Sequence, residues 1–572
     1  MKTLHEAQKR FGWLSPTTIS DIAAATSTPR VRIESTAAFY RFFHTQPMGR
    51  YRVLWSDNIT DQLQGSRELM QAMCEKLWLE PGRVSEDGLL SVDTTSCTGM
   101  CDQGPAILVN GRVITRMTHP RIEAMVELIR AETPLSAWPS EWFVVEDNIR
   151  RRDVLLDGKL ASGEALTAAL ERGPAALLDE IRISGLRGRG GAGFSTALKW
   201  AACRDAPGEA HYVVCNADEG EPGTFKDRVL LTSFADLVFE GMTLAGLVVG
   251  ATKGLLYLRG EYQHLLDPLE AVLERRRREK LLGLHILDKP FDFDIDIHLG
   301  AGAYICGEES ALIESLEGKP GHPRIRPPFP VTHGYLGQPT TVNNVETLAT
   351  ACLIALHGGA WMAGIGTTKS TGTKLLSVSG DVARPGIYEY PYGIPVAQVL
   401  EDAGIAGCLQ AVQISGPSGV TLGQDELNRR ICFEDVPTAG AFMVFDCTRD
   451  MFEVARNFAH FFAEESCGFC TPCRVGTALT AKLMDKIAHG HGSPYDLDEL
   501  LKLREVMQGT SHCGLGNSAG HAIADTLAKF RPAYERQLMS SDYEPSFDLD
   551  AALSQARQMT GRDDAAAHLK ST

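Results

Sequence analysis

The cysteines with the strongest chemical pattern lie near the carboxyl end of the chain, in the segment ESCGFCTPCRVG. Cys467, Cys470 and Cys473 follow a C-x₂-C-x₂-C spacing, and three thiolates on such a tight turn can face one iron–sulfur cluster. A fourth ligand must come from elsewhere, and Cys513 is the predicted one. Zinc is the alternative, although four-thiolate zinc sites usually contain two separated C-x₂-C pairs. The spacing therefore favours a [4Fe–4S] cluster.

A second pair of cysteines, Cys97 and Cys101, occupies a C-x₃-C loop that can supply half of a [2Fe–2S] site. The other half is expected upstream, where the only cysteine is Cys74, inside a predicted helix. Either this cluster is lost or it is completed in an unusual way, and the sequence leaves both possibilities open. The other cysteines, Cys408 and Cys447 among them, are scattered and are predicted to be small core residues.

A glycine-rich loop, GLRGRGGAGF, could bring backbone N–H groups close to phosphate oxygens. Gly188, Gly190 and Gly193 match the G-x-G-x-x-G spacing, but the segment before them predicts a helix rather than the strand of a dinucleotide fingerprint. An ordinary Rossmann domain is therefore not expected. Phe194 and Lys199 follow the loop, and they offer an aromatic face and an ammonium group to a ligand, or a core ring and a surface charge.

An acidic loop follows the strand predicted over residues 211–215. It contains Asn216, Asp218, Glu219 and Glu221 within six residues. Acidic loops usually face solvent, but the carboxyl end of a strand is where α/β sheets bind ligands. Carboxylates in that position could accept hydrogen bonds from ribose hydroxyls or from a nicotinamide amide.

Two further segments, YICGEES and TVNNVET, complete the set of candidate ligand-binding loops. Asn343 and Asn344 in the second segment stand at the start of a predicted helix. Their amides could contact the edge of an isoalloxazine ring and a flavin phosphate. The alternative for each segment is an ordinary turn or helix cap.

The elements that position these residues must be divided among several domains. The 572 residues predict about three to five domains. A formal net charge of -16 disfavours a nucleic-acid partner, which needs clustered Lys and Arg. The most apolar stretch, residues 242–250, is shorter than the roughly 20 residues of a membrane span. With no secretory signal visible, the 14 cysteines are expected to be reduced, and the predicted location is the cytoplasm.

The hydrophobic periodicity and the turn signals predict an α/β multidomain fold. A thioredoxin-like β-α-β-β-α order fits the second unit, with Asn110-Gly111 as a hairpin turn. The predicted units are a helical segment 1–45, a thioredoxin-like domain 46–133, an α/β domain 150–365, a β-rich domain 372–450, a helical region 452–537 and a tail 538–572.

Taken in order, GRGGAGF, NADEGEPGTFKDR, YICGEESALIESLEGKPG, PPFP, TVNNVET and ESCGFCTPCRVG resemble the FMN-binding, NADH-oxidising subunit of respiratory complex I. The resemblance covers about residues 150–535. It implies an FMN-binding α/β domain, a ubiquitin-like β-grasp (SLBB-like) domain, and a C-terminal helical bundle that binds the [4Fe–4S] cluster.

The first 130 residues resemble the small thioredoxin-like partner subunit of the same module, fused onto this chain. That family places a first C-x₄-C pair after its opening strand, where this chain has Ser56 and Asp61. This departure puts the [2Fe–2S] cluster of that domain in question. The fusion is similar to the diaphorase large subunit of soluble NAD-reducing [NiFe] hydrogenases.

The same resemblance implies the site residues. The implied FMN contacts are Gly188, Arg189, Gly190, Lys199, Asn216, Asp218, Glu219, Tyr304, Gly307, Asn343, Asn344 and Thr347. Gly191 and Glu308 adjoin them and are predicted to belong to the same cofactor site. The implied NADH contacts are Phe194, Glu221, Glu309 and Phe329, with the two rings stacked on the dinucleotide and the two glutamates as catalytic residues. The implied cluster ligands are Cys467, Cys470, Cys473 and Cys513.

The activity implied by the resemblance is hydride transfer between NAD(H) and FMN, followed by single-electron transfer to the cluster. Because the flavin supplies the chemistry, no side-chain nucleophile or general base is expected. The implied partners are a small iron–sulfur diaphorase subunit and the hydrogenase subunits of one complex. The alternatives are the equivalent subunit of complex I or of an NAD-dependent formate dehydrogenase, and a scaffold that keeps the fold without the flavin.

Overall fold

The computed structural model describes residues 1–158, 160–405, 407–539 and 549–563. Within these ranges the chain forms two four-stranded sheets, one six-stranded sheet and one two-stranded sheet, with helices around them. Helices are labelled α1 to α25 and strands β1 to β16 in chain order.

Three helices occupy the first part of the chain, where the sequence predicts a helical segment. Ser15 begins the second of them: its side chain accepts a hydrogen bond from the backbone N–H of Thr18, and Pro16 occupies the first helical position. The three helices are α1 (Lys2–Phe11), α2 (Pro16–Ala25) and α3 (Arg30–Phe39).

The next unit is a four-stranded sheet with strand order β2-β1-β3-β4. Its elements are β1 (Tyr51–Ser56), α4 (Ile59–Gln62), α5 (Ser66–Leu77), β2 (Leu90–Thr95), β3 (Ile107–Val109), β4 (Arg112–Ile114) and α6 (His119–Arg130). Asn110 and Gly111 both have positive φ and connect β3 to β4, as the hairpin signal predicts. The sequence analysis missed β2, whose polar residues Asp93, Thr94 and Thr95 obscure the strand pattern. β2 pairs in parallel with β1 and completes a β-α-β unit.

The segment that follows α6, residues 131–150, takes part in two folded units. Trp138 and Trp142 pack into the core of the thioredoxin-like sheet. The last part of the segment forms β5 (Ile149–Arg151), which pairs in parallel with a strand more than two hundred residues later. The segment therefore attaches the N-terminal domain to the rest of the chain.

The central unit is a four-stranded parallel sheet with strand order β8-β7-β6-β9. Its helix α12 is buried along nearly its whole length and packs against α16, because both helices are apolar on most of their faces. The elements are α7 (Val154–Asp157), α8 (Glu164–Arg172), α9 (Pro174–Ile183), α10 (Thr196–Asp205), β6 (Tyr212–Ala217), α11 (Lys226–Ser233), α12 (Ala235–Val249), β7 (Lys253–Leu258), α13 (Leu266–Arg278), β8 (Asp294–Leu299), α14 (Glu309–Leu316), α15 (Pro330–His333), β9 (Thr340–Asn344), α16 (Val345–His357) and α17 (Gly359–Ala363).

The N-terminal helices lie against this sheet. His5 Nε2 is 3.2 Å from the carbonyl oxygen of Leu299, and Thr36 donates a hydrogen bond to the carbonyl oxygen of Gly318. Burial lowers the pKa of His5 to about 4 and that of His298 to about 3. Both imidazoles are therefore neutral in the folded chain near pH 7.

Lowering the pH from 6.5 to 4 is expected to detach the first helical segment from the sheet. Because the folded pKa of His5 lies below its unfolded value, the unfolded state binds more protons as the pH falls, and about 3 kcal/mol of stability is lost over this window. Hydrogen exchange of α1, corrected for the intrinsic effect of pH, measures this loss. His5→Gln should weaken the pH dependence, whereas protection that is constant from pH 7 to 4 would show the expectation to be wrong.

The six-stranded sheet has strand order β14-β13-β16-β10-β11-β5, so its last member comes from the segment before the central unit. One helix packs on it. The elements of this region are β10 (Thr373–Gly380), β11 (Gly386–Pro391), β12 (Ile394–Pro395), α18 (Val396–Ala403), β13 (Leu409–Ile414), β14 (Val420–Leu422), β15 (Arg430–Ile431) and β16 (Ala441–Asp446). Of these, β12 and β15 pair with each other and form the separate two-stranded sheet.

Two cysteines of this sheet differ from their prediction as reduced core residues. Cys408 and Cys447 form a disulfide and are exposed. Each lies at the end of a strand, and β13 pairs with β16 in antiparallel register through Leu409 and Asp446. This register places the two cysteines side by side, a relation between distant residues that their spacing in the sequence does not reveal.

The remaining described residues are helical. They form α19 (Met451–Glu465), α20 (Thr471–Ala488), α21 (Pro494–Thr510), α22 (Gly514–Ser518), α23 (His521–Lys529), α24 (Arg531–Glu535) and α25 (Leu549–Thr560). Residues 540–548 and 564–572 of the predicted tail lie outside the described residues. In the described part of the chain no single helix has the length and hydropathy of a membrane span, although the pair α11 and α12, bent by 95°, satisfies both criteria when taken together.

Candidate active site

The carboxyl edge of the parallel sheet brings three of the predicted loops together. β6 and β9 are neighbours, with Asn216 opposite Asn344 in the register. The Asn216 side chain donates a 2.8 Å hydrogen bond to the carbonyl oxygen of Gly307, on the loop that follows β8. Its Oδ1 accepts a hydrogen bond from the backbone N–H of Asp218. Loops from three strands therefore converge where open α/β sheets bind ligands.

The glycine-rich loop lies over the start of α16 at this same edge. Its backbone closes through a 2.8 Å hydrogen bond from Gly188 N–H to the Phe194 carbonyl, and Arg189 N–H donates to Thr347 Oγ1 at 2.9 Å. A side chain at position 190 would come within 3.1 Å of the Asn344 Cβ. At position 193, φ is +63° and a Cβ would lie 2.3 Å from the Phe433 ring, so this position requires glycine.

A buried cluster of charges supports the glycine loop from below. Lys374 donates a 3.0 Å hydrogen bond to the carbonyl oxygen of Arg189 and forms an ion pair with Glu346. Lys226 bridges Glu346 at 3.0 Å and Asp227 at 2.6 Å. Burial opposes the charged form of Glu346, but Lys374 and Lys226 outweigh it and lower its pKa. The carboxylate is therefore the anion that makes two buried ammonium groups tolerable.

Three of the predicted cofactor residues use their polar atoms within the protein. Glu219 accepts hydrogen bonds from the N–H groups of Asp227 and Arg228, at 2.9 and 3.1 Å, and so caps α11. The Glu308 side chain caps α14 in the same way. Asn343 Oδ1 accepts a 2.8 Å hydrogen bond from the indole of Trp200. These side chains shape the site through contacts inside the protein.

Asp218 is the predicted residue that best fits a missing polar ligand. Its Oδ2 is buried, and no group of the described residues forms a hydrogen bond with it. Burial raises the pKa of the carboxyl group well above its ordinary value. A buried unpaired carboxyl oxygen is costly unless a ligand or water satisfies it. This oxygen fits a polar atom of a flavin mononucleotide, and the N–H groups of the glycine-rich loop fit its phosphate.

Glu221 is fixed by groups from two other parts of the chain. It accepts a 2.5 Å hydrogen bond from Tyr304 Oη, and hydrogen bonds from both the N–H and the hydroxyl of Ser418 at 2.9 and 2.8 Å. Burial raises the pKa of Glu221. Ser418 belongs to the loop after β13, in the six-stranded sheet, and the sequence analysis did not single it out. A lone serine in a Gly-Pro-Ser-Gly turn carries no signal of such a contact.

Two aromatic rings of the predicted site are exposed. Phe194 is 56% exposed and Phe329 is 52% exposed, which leaves both faces accessible to a ligand. Lys199, in the first turn of α10, donates 2.7 and 3.0 Å hydrogen bonds to Glu309 and to the carbonyl oxygen of Val342. Exposed aromatic rings and an ion pair suit the stacking and hydrogen-bonding needs of a nicotinamide dinucleotide.

The four predicted cluster ligands lie in one region of the C-terminal helices. Cys467 is on the loop between α19 and α20, Cys470 precedes α20, and Cys473 lies in its first turn. Cys513 precedes α22, and a side chain at Gly516 in that helix would come within 3.0 Å of the Cys473 Cβ. All four belong to one hydrophobic cluster, and burial raises the pKa of Cys513 to about 11. Binding of a cluster must therefore displace thiol protons.

The donor set fits a [4Fe–4S] cluster. Among the described residues, no three His, Cys, Asp or Glu side chains surround a single metal-ion position. A [4Fe–4S] cluster does not need such an arrangement, because each thiolate binds a different iron.

Glu465 connects this region with the sheet edge. The residue ends α19, two residues before Cys467, and its Oε2 accepts a 2.9 Å hydrogen bond from the backbone N–H of Tyr304. Its Oε1 accepts a hydrogen bond from Ser96 of the N-terminal domain at 3.1 Å. The sequence motif includes Glu465, but only the fold shows that this carboxylate joins three domains.

The N-terminal domain contains four positions that correspond to a [2Fe–2S] site, but their donors do not fit one. Ser56, Asp61, Cys97 and Cys101 converge in a buried region, as the resemblance implies. Ser56 donates to Asp61 at 2.7 Å, and Asp61 accepts a second hydrogen bond from the N–H of Ala106 at 3.0 Å. Both oxygen donors are thus engaged with the protein, and only two thiols face them.

Four known sequence families match successive parts of the chain. Residues 1–130 match the thioredoxin-like [2Fe-2S] ferredoxin family, and residues 181–352 match the Nuo51 FMN-binding domain. Residues 375–405 match the SLBB domain, and residues 453–537 match the NADH-ubiquinone oxidoreductase-F iron-sulfur binding region. The chain is therefore a mixed α/β multidomain protein with thioredoxin-like, FMN-binding and iron–sulfur domains.

Individual relatives extend the similarity to nearly the whole chain. The NAD-reducing hydrogenase HoxS subunit alpha of Cupriavidus necator is 42% identical over 567 residues, which are 96% of this chain and 94% of the relative. The NADP-reducing hydrogenase subunit HndC of Solidesulfovibrio fructosivorans is 41% identical over 383 residues, 65% of this chain and 78% of the relative. A chain in the crystal structure of NAD+-reducing [NiFe]-hydrogenase in the H2-reduced state superposes with a TM-score of 0.91 at 46% identity, covering 99% of this chain and 97% of that chain. This chain belongs to the family of alpha subunits of NAD-reducing hydrogenases.

Proposed function

We propose that this chain is the diaphorase subunit of an NAD-reducing hydrogenase, in which hydride passes between NAD(H) and FMN and single electrons pass to a [4Fe–4S] cluster. One observation supports the proposal most strongly. Tyr304 contacts Glu221 of the acidic loop through its hydroxyl and Glu465 of the cysteine-bearing region through its N–H. The flavin candidate site and the cluster candidate site are therefore adjacent parts of one structure.

The chain would hold FMN through the backbone of Gly188, Arg189 and Gly190, with Asp218 and Asn344 at the carboxyl edge of the sheet. The remaining proposed contacts are Gly191, Lys199, Asn216, Glu219, Tyr304, Gly307, Glu308, Asn343 and Thr347. When bound, FMN supplies two-electron exchange with NAD(H) and one-electron exchange with a cluster. The protein supplies position: the loops fix the ring, and the exposed rings of Phe194 and Phe329 fix the dinucleotide above it.

Glu221 and Glu309 are proposed to orient the dinucleotide rather than to move a proton. Each carboxylate is already restrained, Glu221 by Tyr304 and Ser418 and Glu309 by Lys199. Restrained groups position a substrate without losing conformational entropy when it binds. The proposed cluster ligands are Cys467, Cys470, Cys473 and Cys513.

Two domain assignments belong to the same proposal. The six-stranded sheet with α18 is proposed to be a β-grasp, SLBB-like domain over residues 372–450. The helices of residues 452–537 are proposed to be a bundle that binds the cluster. The boundaries at residues 45, 133, 150 and 365 stay predictions.

The proposed partners are a small iron–sulfur subunit and the hydrogenase subunits of one complex. The names of the relatives support membership in such a complex. The location in the cytoplasm stays a prediction.

The proposed activity is tested with the purified chain after FMN and iron have been quantified. We expect NADH to reduce a viologen dye catalytically, because the chain holds both the hydride acceptor and the one-electron relay. A chain with full flavin and iron that transfers no electrons from NADH to the dye would refute the proposal.

Glu221→Gln is expected to raise the KM for NADH roughly 10- to 100-fold, since a charge-assisted hydrogen bond is worth about 1.5–3 kcal/mol. Ser418→Ala should produce a smaller shift in the same direction, because it removes one of the hydrogen bonds that orient Glu221. Steady-state kinetics with NADH and dye measure both effects. Glu209→Gln, on the exposed loop before β6, is the control. An unchanged KM in Glu221→Gln would exclude this glutamate from the dinucleotide site.

A further inference from the structure

A buried pair of thiols lies where the N-terminal domain meets the flavin domain. Cys97 and Cys101 are 0% and 1% exposed, and their sulfur atoms are 3.6 Å apart. A disulfide bond is about 2.0 Å long. The two sulfurs are therefore within a small loop movement of bonding distance.

The surroundings of the pair do not offer the ligands of a second iron. Ser56 and Asp61, at the positions that correspond to the missing cysteines, bond to each other and to the backbone. Asn58 donates a 3.1 Å hydrogen bond from Nδ2 to the sulfur of Cys101. The region is thus a dithiol enclosed by polar groups, and not half of a four-thiolate site.

The two thiols are polarised unequally, as an attacking and a resolving thiol must be. The hydrogen bond from Cys101 is the largest effect that lowers the pKa of Cys97, and Arg259 and the N–H of Gly99 act in the same direction. The same hydrogen bond raises the pKa of Cys101. A thiolate therefore forms first on Cys97.

The loop that contains Cys97 and Cys101 is bonded directly to residues that hold the acidic loop of the flavin site. Arg259 donates a 2.7 Å hydrogen bond to the carbonyl oxygen of Cys97 and another to the carbonyl oxygen of Glu219. Arg228 contacts Met100 at 2.8 Å and Asp102 at 3.2 Å. Movement of the loop that contains Cys97 and Cys101 must therefore shift groups that fix Glu219.

We propose that Cys97 and Cys101 are a second redox site of this chain, a dithiol that closes reversibly to a disulfide with a peroxide as oxidant and changes how firmly the acidic loop holds the flavin. The Cys97 thiolate attacks one peroxide oxygen, the O–O bond breaks, and a sulfenic acid and hydroxide form. The Cys101 thiol then attacks the oxidised sulfur, and the S–O bond breaks as water leaves. In sum, two thiols and one hydrogen peroxide give one disulfide and two water molecules. A dithiol reductant reverses the change by thiol–disulfide exchange.

The test uses the full chain with its flavin and cluster, treated with about one equivalent of hydrogen peroxide. The chain is then unfolded in an alkylating reagent and cleaved with trypsin, which releases residues 84–112 as one peptide that contains both cysteines. We expect two alkyl groups on this peptide before treatment. After treatment we expect no alkyl group, and the mass of the peptide should be lower by two hydrogens. Treatment with a dithiol reductant before alkylation should restore both alkyl groups. FMN release should differ at least threefold between the two forms.

Two variants control the experiment. Cys97→Ser should leave Cys101 open to alkylation and make FMN release insensitive to peroxide. Cys74→Ser replaces another buried cysteine of the same domain and should leave the disulfide and its effect intact. The redox site is overturned if both cysteines stay alkylated after peroxide, or if the chain binds about six irons rather than about four, which would mean a [2Fe–2S] cluster at this pair. A disulfide that leaves FMN release unchanged would overturn the coupling to the flavin.

Discussion

Cys470→Ala is expected to reduce the iron content of the chain from about four atoms to nearly none and to abolish the EPR signal of the reduced cluster. The residue precedes α20 and offers one of the four thiolates, so its loss leaves one iron without a protein ligand. The flavin should remain bound, because none of the proposed FMN contacts lies on the loop that contains Cys467 and Cys470. Electron delivery to the proposed hydrogenase partners should fall by about two orders of magnitude or more, since the one-electron relay is gone.

The control for this variant is Cys432→Ala. Cys432 is buried, at 2% exposed, and follows β15 in the β-rich domain rather than lying among the C-terminal helices. It should keep its iron, its flavin and its EPR signal. An unchanged EPR signal in Cys470→Ala would remove this residue from the ligand set.

Glu346→Ala is expected to destabilise the chain by about 3–5 kcal/mol, because the change leaves two buried ammonium groups without their shared anion. Lys226 and Lys374 both contact this carboxylate and are almost completely buried. Lys374 also supports the glycine loop through the carbonyl oxygen of Arg189, so we expect FMN to dissociate faster as well.

Hydrogen exchange of the glycine loop and the rate of FMN release measure the two effects locally, which avoids the assumption that a multidomain chain unfolds in one step. Glu34→Ala, which breaks the exposed pair with Arg30, is the control and should cost no more than about 1 kcal/mol. The double change Glu346→Gln with Lys374→Met should recover part of the stability, because it removes one of the unpaired charges. If Glu346→Ala is as stable as Glu34→Ala, water or a rearrangement of the structure must stabilise the charges of the buried lysines.

The loops of the site could be predicted because each carries an unusual local composition. Each pattern can be recognised from its own local sequence, without knowledge of the residues that it contacts. The patterns are a dense run of glycines, three carboxylates after a strand and paired asparagines before a helix. Their convergence also follows from a general rule, since the carboxyl ends of parallel strands share one edge. The register between Asn216 and Asn344 agrees with that rule. The roles of the individual side chains in binding stay predictions.

The groups that orient these loops could not be predicted. Ser418, Glu465 and Lys374 are single residues of common types, and each acts on a group far away in the sequence. No local pattern distinguishes a serine that fixes the Glu221 carboxylate from a serine in an ordinary turn. The disulfide between Cys408 and Cys447 escaped prediction for the same reason, because it depends on strand register.

In the N-terminal domain, the positions of the family's cysteines were more informative about this region than the composition of the chain. The prediction that Ser56 and Asp61 replace a first cysteine pair placed them opposite Cys97 and Cys101, and all four are buried together. What the sequence did not indicate is that the two oxygen donors bond to each other. The sequence leaves open whether the two thiols belong to a cluster, and that contact favours a dithiol.

The most direct test of a flavin site coupled to a cluster within one chain is a single anaerobic mixing of the purified protein with NADH, followed by flavin absorbance and freeze-quench EPR on the same sample. We predict that the flavin is bleached first and that the EPR signal of one reduced [4Fe–4S] cluster then appears within a single turnover. A bleached flavin in a chain with about four irons and no cluster signal would contradict this coupling.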